Sequence, residues 1–184
     1  MEREKALKIL KENVQNQNLI KHSLAVEAVM RALSRYFSKD EEKWGICGLL
    51  HDVDYEKTKD NPQQHSLIGA EMLEELGFEK DICRAVKAHN EIHGVLPETL
   101  MEKALYVTDP LTGLVVAATL VLPSKNLKDL KTENVLKRFR EKAFARGANR
   151  EIIKKCEGYL NLSLEEFVKI TLGAMQEIAD DLGL

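Results

Sequence analysis

The chain has 184 residues, of which 44% are hydrophobic and 31% charged, a composition typical of one soluble domain with its own core. The formal net charge of −3 shows no general excess of Lys and Arg, so an extended nucleic acid is not an expected partner. Cys47, Cys83 and Cys156 form no CxxC pair, which argues against a disulfide framework and a thiolate zinc site; we expect reduced, mostly buried thiols.

Apolar residues recur every three or four positions along nearly the whole chain, as in Leu19, Val26, Val29 and Leu33. Strict alternation over the length of a strand is rare. The pattern therefore predicts an all-α fold. Helices are expected at about 2–14, 18–37, 40–52, 63–76, 79–91, 98–108, 110–122, 133–146, 150–160 and 164–182.

Residues typical of helix ends support several of these limits. Ser163 and Glu166 have the spacing of a capping box, and Asn61-Pro62 would open the helix at 63–76. Glycines would close two helices, at positions 77 and 147.

Asp109 precedes Pro110, whose ring disfavours helical geometry at the residue before it. A break or kink is therefore predicted at Asp109. The segment PSKNLKDLKT is a plausible linker, but it is too short to indicate a second domain. We expect one domain over residues 1–184, with a core region at about 18–122 and additional carboxy-terminal helices at about 133–182.

Nothing in the sequence predicts insertion into a membrane. The amino terminus MEREKALKILKENV is charged and lacks the apolar centre of a secretory signal. The longest apolar stretch, LTGLVVAATLVL, is shorter than a membrane span and ends at Pro123. A cytoplasmic protein is expected.

Four of the five histidines fall in an ordered pattern with two aspartates. His22 is followed by the pair His51-Asp52, then by His65, His89 and Asp109. This order resembles that of the HD-domain superfamily of metal-dependent phosphohydrolases, and the blocks HSLAVEAVMRAL, GLLHDVDYEKT and HSLIGAEML resemble those of its small bacterial HDIG-type members. The resemblance covers about residues 18–122 and implies an HD-domain-like helical bundle.

The resemblance implies a ligand set of six residues. His22, His51, Asp52 and Asp109 would hold a first ion. A second would be held by His65 and His89, with Asp52 bridging the two ions. Imidazole and carboxylate ligands suit one or two divalent ions of Mn, Fe, Co, Zn or Mg, without selecting among them. His93, four residues after His89, is an alternative ligand if the helix continues that far.

The activity implied is hydrolysis of a phosphomonoester or phosphodiester of a small molecule, for which a nucleotide is a candidate. Two better-defined branches of the superfamily are not favoured. The Gly-Tyr-Pro signature of cyclic-dinucleotide phosphodiesterases is absent after His93, where the chain reads GVLPE. The Glu-Asp pair of alarmone hydrolases is absent after the His-Asp motif, where it reads VDYE.

Asp52 and Asp54 are the candidate catalytic carboxylates. Asp54 would accept a proton from metal-bound water or orient a ligand histidine, although a surface aspartate at a helix end is an equally good interpretation. Lys57 lies in the polar segment that follows and is a candidate for contacting substrate phosphate. A solvated charge in a polar loop is the favoured interpretation.

A second group of cations lies in KRFREKAFARG. Arg138, Lys142 and Arg146 are spaced by four and would form one cationic stripe on a helix. With Lys125, this stripe would close over an anionic substrate. The alternative interpretation, which the apolar residues on the opposite face favour, is a solvated helix face.

Two other functions are compatible with the same residues. Some HD-domain proteins use nearly the same ligands to hold a mixed-valence di-iron pair that oxygenates small substrates. The other function is that of a helical module that binds metal or nucleotide without turnover. The oligomeric state is not predicted.

Overall fold

A computed structural model describes residues 3–184, and every regular element in that range is helical, which confirms the all-α prediction. The helices are α1 (Arg3–Asn13), α2 (Gln17–Tyr36), α3 (Glu41–Leu50), α4 (Tyr55–Thr58), α5 (Leu67–Glu75), α6 (Lys80–Ala88), α7 (Leu100–Leu120), α8 (Thr132–Arg140), α9 (Arg150–Lys154), α10 (Cys156–Leu160), α11 (Leu164–Glu177) and α12 (Ala179–Leu182). Two 3-10 turns lie at Glu91–His93 and Leu127–Asp129.

Helix α2 is at the centre of the bundle and packs against α3, α7 and α11. Its apolar residues recur at helical spacing and are buried, among them Val26, Val29 and Leu33. The contact with α3 is close because of Gly48, where a Cβ atom would lie 2.9 Å from the carbonyl oxygen of Val26. This close approach places the end of α3, and His51 directly after it, against α2.

Helix α7 replaces the two helices predicted at 98–108 and 110–122, so the predicted break at Asp109 is wrong. Pro110 lies inside the helix. Its missing N–H removes one hydrogen bond, a local cost. Both sides of the proline are anchored in the core, for example by Val107, Leu111 and Leu114, all fully buried. We attribute the continuity of the helix to this burial.

The predicted helix ends have mixed outcomes. The capping box of Ser163 and Glu166 is confirmed, and Gly77 follows α5 with a left-handed φ of +78°. Asn61-Pro62 does not open a helix, since α5 begins only at Leu67 after turns. His65 therefore lies in a turn rather than in a helix.

The carboxy-terminal part is more broken than predicted. Helix α8 ends at Arg140 instead of continuing to 146, so Gly147 closes no helix. The segment predicted at 150–160 divides at Lys155, and the one predicted at 164–182 divides at Ile178.

The predicted linker is packed against the bundle. Leu127 and Leu130 are buried, and the Gln176 side chain donates hydrogen bonds to both of their carbonyl oxygens. All three cysteines are free and buried, as expected. Within residues 3–184, no helix combines the length and the apolar character needed to cross a membrane.

Candidate metal centre

The His51-Asp52 pair lies where α3 ends. The helix finishes at Leu50, and the chain turns through residues 51–54 into α4. The fully buried His51 ring donates from Nδ1 to the carbonyl oxygen of Gly48, at 2.8 Å. That bond within the last turn of the helix directs Nε2 away from α3, toward α2 and α7.

His22 on α2 and Asp109 on α7 meet at this point. His22 Nε2 lies 3.0 Å from Asp109 Oδ1 and 3.2 Å from His51 Nε2. On the other side of the His22 ring, Nδ1 lies 3.4 Å from Thr112 Oγ1. The Thr112 hydroxyl donates to the Asp109 carbonyl oxygen, so it can accept from His22 Nδ1.

The spacing of these four side chains fits a metal ion. His51 Nε2 lies 3.8 Å from Asp109 Oδ1, and Asp52 Oδ2 lies 3.7 Å from His22 Nε2 and 3.5 Å from His51 Nε2. Ligands about 2.1 Å from one ion are separated by about 3.0 Å at right angles and about 3.4 Å at the tetrahedral angle. The donor atoms therefore need only small shifts to coordinate a common cation.

The other two histidines lie at the opposite oxygen of Asp52. His65 Nε2 and His89 Nε2 are 3.3 and 3.4 Å from Asp52 Oδ1. One carboxylate oxygen thus faces each histidine pair. Among residues 3–184, two triads have donor atoms within 4.8 Å of one another and could each hold a metal ion: His22–His51–Asp109 and His51–Asp52–His89. Both contain His51, and this arrangement is compatible with one ion or with two.

The four imidazoles share one orientation. In each ring Nδ1 is engaged by an acceptor, and Nε2 points to the centre. The acceptor is a backbone carbonyl for His51 and His89, the Asp54 carboxylate for His65 and the Thr112 hydroxyl for His22. Such anchoring of the remote nitrogen is what orients metal-ligating histidines in proteins. The residue types, their distances and this orientation all suit a divalent cation.

Asp54 contacts the side of the His65 ring that faces away from the centre. Its fully buried carboxylate accepts hydrogen bonds from His65 Nδ1 at 2.9 Å and from the backbone N–H groups of Ser66 and Gly69, both at 2.8 Å. A Cβ atom at Gly69 would lie 3.1 Å from Asp54 Cγ, so any larger residue there would crowd this carboxylate. Of the two roles considered for Asp54, the geometry favours orienting a ligand histidine.

The carboxylates change the protonation of the histidines. Burial by itself would lower the pKa of His51, but Asp52 and Asp109 outweigh it and raise the pKa to about 9. Burial likewise opposes protonation of His65, yet hydrogen bonds to Asp52 and Asp54 raise its pKa to about 10. Correspondingly, the imidazoles outweigh the burial of Asp109 and hold its pKa well below the usual range.

Metal binding is therefore expected to release protons. Below about pH 9 the metal-free His51 and His65 rings are protonated, and each must lose its Nε2 proton to become a ligand. At pH 7.5 we expect release of about two protons, with metal affinity rising as the pH rises. Calorimetric titration in two buffers of different ionisation enthalpy measures this number. A binding heat independent of the buffer would contradict it.

The predicted substrate-binding cations are placed as follows. Because α8 ends at Arg140, the predicted helical stripe of Arg138, Lys142 and Arg146 is wrong. Arg138 instead pairs with Glu141 at 2.7 Å, and Lys142 and Arg146 are exposed on the irregular segment after α8.

The other two predicted cations, Lys57 and Lys125, and His93 lie outside the ligand cluster, the group of six candidate ligands. Lys57 is exposed and donates to Asn13 Oδ1, and Lys125 is exposed in the loop after α7. His93 directs Nε2 to the carbonyl oxygen of His65, at 2.6 Å. It therefore contacts the backbone next to a candidate ligand.

Three contributors to the site were not predicted from the sequence. Thr112 and Gly69 contact candidate ligands or their support, as described above. Arg150 donates hydrogen bonds to five carbonyl oxygens at the end of α8 and in the segment that follows it, those of Arg138, Phe139, Phe144, Ala145 and Ala148. This segment forms a wall beside Asp109. Thr112, three residues after Asp109 on one helix, was the most accessible to sequence reasoning.

Comparisons with known proteins found one family model and several relatives that are similar to this chain. The family model of the HD domain matches residues 19–114, which is more than half of the chain. "Uncharacterized protein MJ0778" of Methanocaldococcus jannaschii is 31% identical over 164 residues, covering 84% of this chain and 92% of that protein. "Ribonuclease Y" of Lawsonia intracellularis is 31% identical over 139 residues, covering 74% of this chain but 26% of that protein.

The chain thus spans about a quarter of the length of the ribonuclease Y proteins that it matches. No solved structure matches it.

Proposed function

Because the chain belongs to the HD-domain family, we propose that it is a metal-dependent phosphohydrolase that cleaves a phosphomonoester or phosphodiester of a small organic molecule, such as a nucleotide. The observation that carries the proposal is the convergence of four Nε2 atoms on two carboxylates, with each Nδ1 anchored elsewhere. Membership of the family agrees with the resemblance inferred from the order of the histidines and aspartates.

A bound divalent ion would lower the pKa of a water from about 15.7 to about 7 and neutralise charge on phosphoryl oxygens. His22, His51, Asp52 and Asp109 would hold one ion, with His65 and His89 available for a second. The metal identity is left open by this donor set. Phosphoryl transfer depends mainly on positioning and electrostatics, so a protein nucleophile is not required.

Asp109 is better placed than Asp54 to interact with the attacking water. The Asp54 carboxylate is fully buried and already accepts three hydrogen bonds. Asp109 contacts His22 and His51 through Oδ1, and a third of its side chain is exposed. Its Oδ2 can therefore accept a hydrogen bond from a water at the open side of the centre and orient it toward a phosphorus atom.

The test is elemental analysis of the purified protein followed by a phosphate-release screen with each candidate metal. The panel contains nucleoside monophosphates, cyclic nucleotides, sugar phosphates and a short RNA, the last because of the ribonuclease Y relatives. We expect release from at least one class of small ester and loss of release after chelation. Metal-loaded protein that cleaves nothing, or an oxygen-dependent iron spectrum without phosphate release, would overturn the proposal.

A further inference from the structure

The candidate centre is most exposed to solvent at Asp109 and His22. The side chains of Asp109 and His22 are 33% and 24% exposed, whereas the other four candidate ligands are at most 14% exposed. Two cavities of about 520 and 320 Å³ lie at this opening, and both are lined by His22 and Gly113. A substrate that enters from this side would pass Gly113.

Gly113 is required neither for an unusual backbone conformation nor for close packing. It lies inside α7 without a positive φ, and a Cβ atom there would meet no atom within 4 Å. Alanine is a better helix former than glycine, so helix stability alone would favour alanine at this position. Gly113 follows Asp109 by four residues and lies on the same helix face. What the glycine provides is open space next to a candidate ligand.

The larger cavity, the Gly113 cleft, shares His22 with the metal centre and extends along α7. Val116 and Leu120 extend the face of Gly113, and Leu182 and Leu184 line the cavity with them. Leu120 is half exposed. Besides His22, the polar side chains that line the cleft are Asn18 and Lys21, at the start of α2. A volume of about 520 Å³ with apolar walls and few polar groups is typical of sites for small organic ligands.

We propose that the Gly113 cleft binds the nucleoside part of a mononucleotide whose phosphate lies at the metal centre, and that Gly113 is the position that admits it. The inference rests on the proposed function for the location of the phosphate. Continuity through His22 places the organic part of an ester in this cleft. The apolar walls fit a base and the two polar side chains fit its hydrogen-bonding edge, whereas a small sugar phosphate would leave these walls in water.

Binding measurements separate the cleft from the metal centre. The probes are inorganic phosphate, which reaches only the metal, and a phosphonate analogue of AMP in which CH₂ replaces the ester oxygen. The manganese-loaded protein is titrated with each. Gly113→Leu is expected to weaken binding of the analogue by about tenfold or more and to leave binding of phosphate unchanged.

Gly173→Leu is the matched control. Gly173 also lies inside a helix, α11, with no atom within 4 Å of an added Cβ, and it lines a different cavity. We expect it to change neither affinity. Leu120→Asp is a second variant, at an exposed position less sensitive to folding, and should weaken binding of the analogue alone.

Each result has a defined meaning. Unchanged affinity of Gly113→Leu and Leu120→Asp for the analogue, parallel loss of both probes, or a wild-type protein that binds the analogue no more tightly than phosphate would overturn the assignment of the cleft. If the analogue binds as expected but no ester in the panel is hydrolysed, the proposed function fails and the cleft assignment stands.

Discussion

Replacing Asp52 with asparagine is expected to weaken metal binding at least about 100-fold and to reduce phosphate release to background. Asp52 contributes one oxygen to each histidine pair, at distances of 3.3 to 3.7 Å. Asparagine keeps the shape but loses the charge, and only one of its two terminal atoms, the oxygen, can coordinate a cation. Metal content after dialysis, measured by elemental analysis, checks the expectation.

His51→Ala should have a comparable effect on the first ion, because His51 belongs to both donor triads. The residue is fully buried, so thermal unfolding must accompany the measurement. His93→Ala is the matched control: this histidine contacts the His65 carbonyl and not the ligand cluster, and its variant should keep its metal. Full metal content in both Asp52→Asn and His51→Ala would refute the metal centre.

The ligand cluster could be proposed from sequence because its members are chemically distinctive and occur in a recognisable order. The orientation of the histidine rings could not be predicted. The acceptors that fix His51 and His89 are carbonyl oxygens of Gly48 and Val86, and every residue has a carbonyl. Nothing in the identity of those residues signals the role, which exists only once α3 and α6 have formed and ended.

The continuous helix α7 shows a local rule outweighed by packing. Pro110 disfavours helical geometry at Asp109, and this led to a predicted break. Burial of the apolar residues on both sides of Pro110 favours one helix, and it is a property of the whole bundle. The difference matters for the site, because an unbroken α7 places Asp109, Thr112 and Gly113 in fixed helical register.

The prediction of a cationic helical stripe is wrong for a different reason. The spacing of Arg138, Lys142 and Arg146 has a helical period, yet the helix ends at Arg140. Arg150 instead donates hydrogen bonds to carbonyl groups at the end of α8 and in the segment that follows, one of them twelve residues earlier in the chain. A periodicity argument considers only neighbours within one helix and cannot include this contact.

The support provided by Asp54 leads to the second large effect. Asp54→Asn is expected to lower the free energy of unfolding of the metal-free protein by about 3 kcal/mol. The carboxylate accepts three hydrogen bonds, and the NH₂ group of asparagine, which cannot accept, would face at least one of the three donors. Loss of the bond to His65 should also weaken metal binding on the His65–His89 side by about 10- to 100-fold. Urea unfolding and metal titration measure the two effects separately.

Gly69→Ala tests the same support without removing the charge. The added Cβ would lie 3.1 Å from Asp54 Cγ and press the carboxylate away from the Ser66 and Gly69 N–H groups. Gly173→Ala, with free space around the added atom, is its control and should be neutral or stabilising. If Asp54 only filled space, Asp54→Asn would be harmless and Gly69→Ala damaging; if the carboxylate positions His65, both variants lose metal affinity, and Asp54→Asn loses more. Unaltered metal affinity in Asp54→Asn would remove the positioning role.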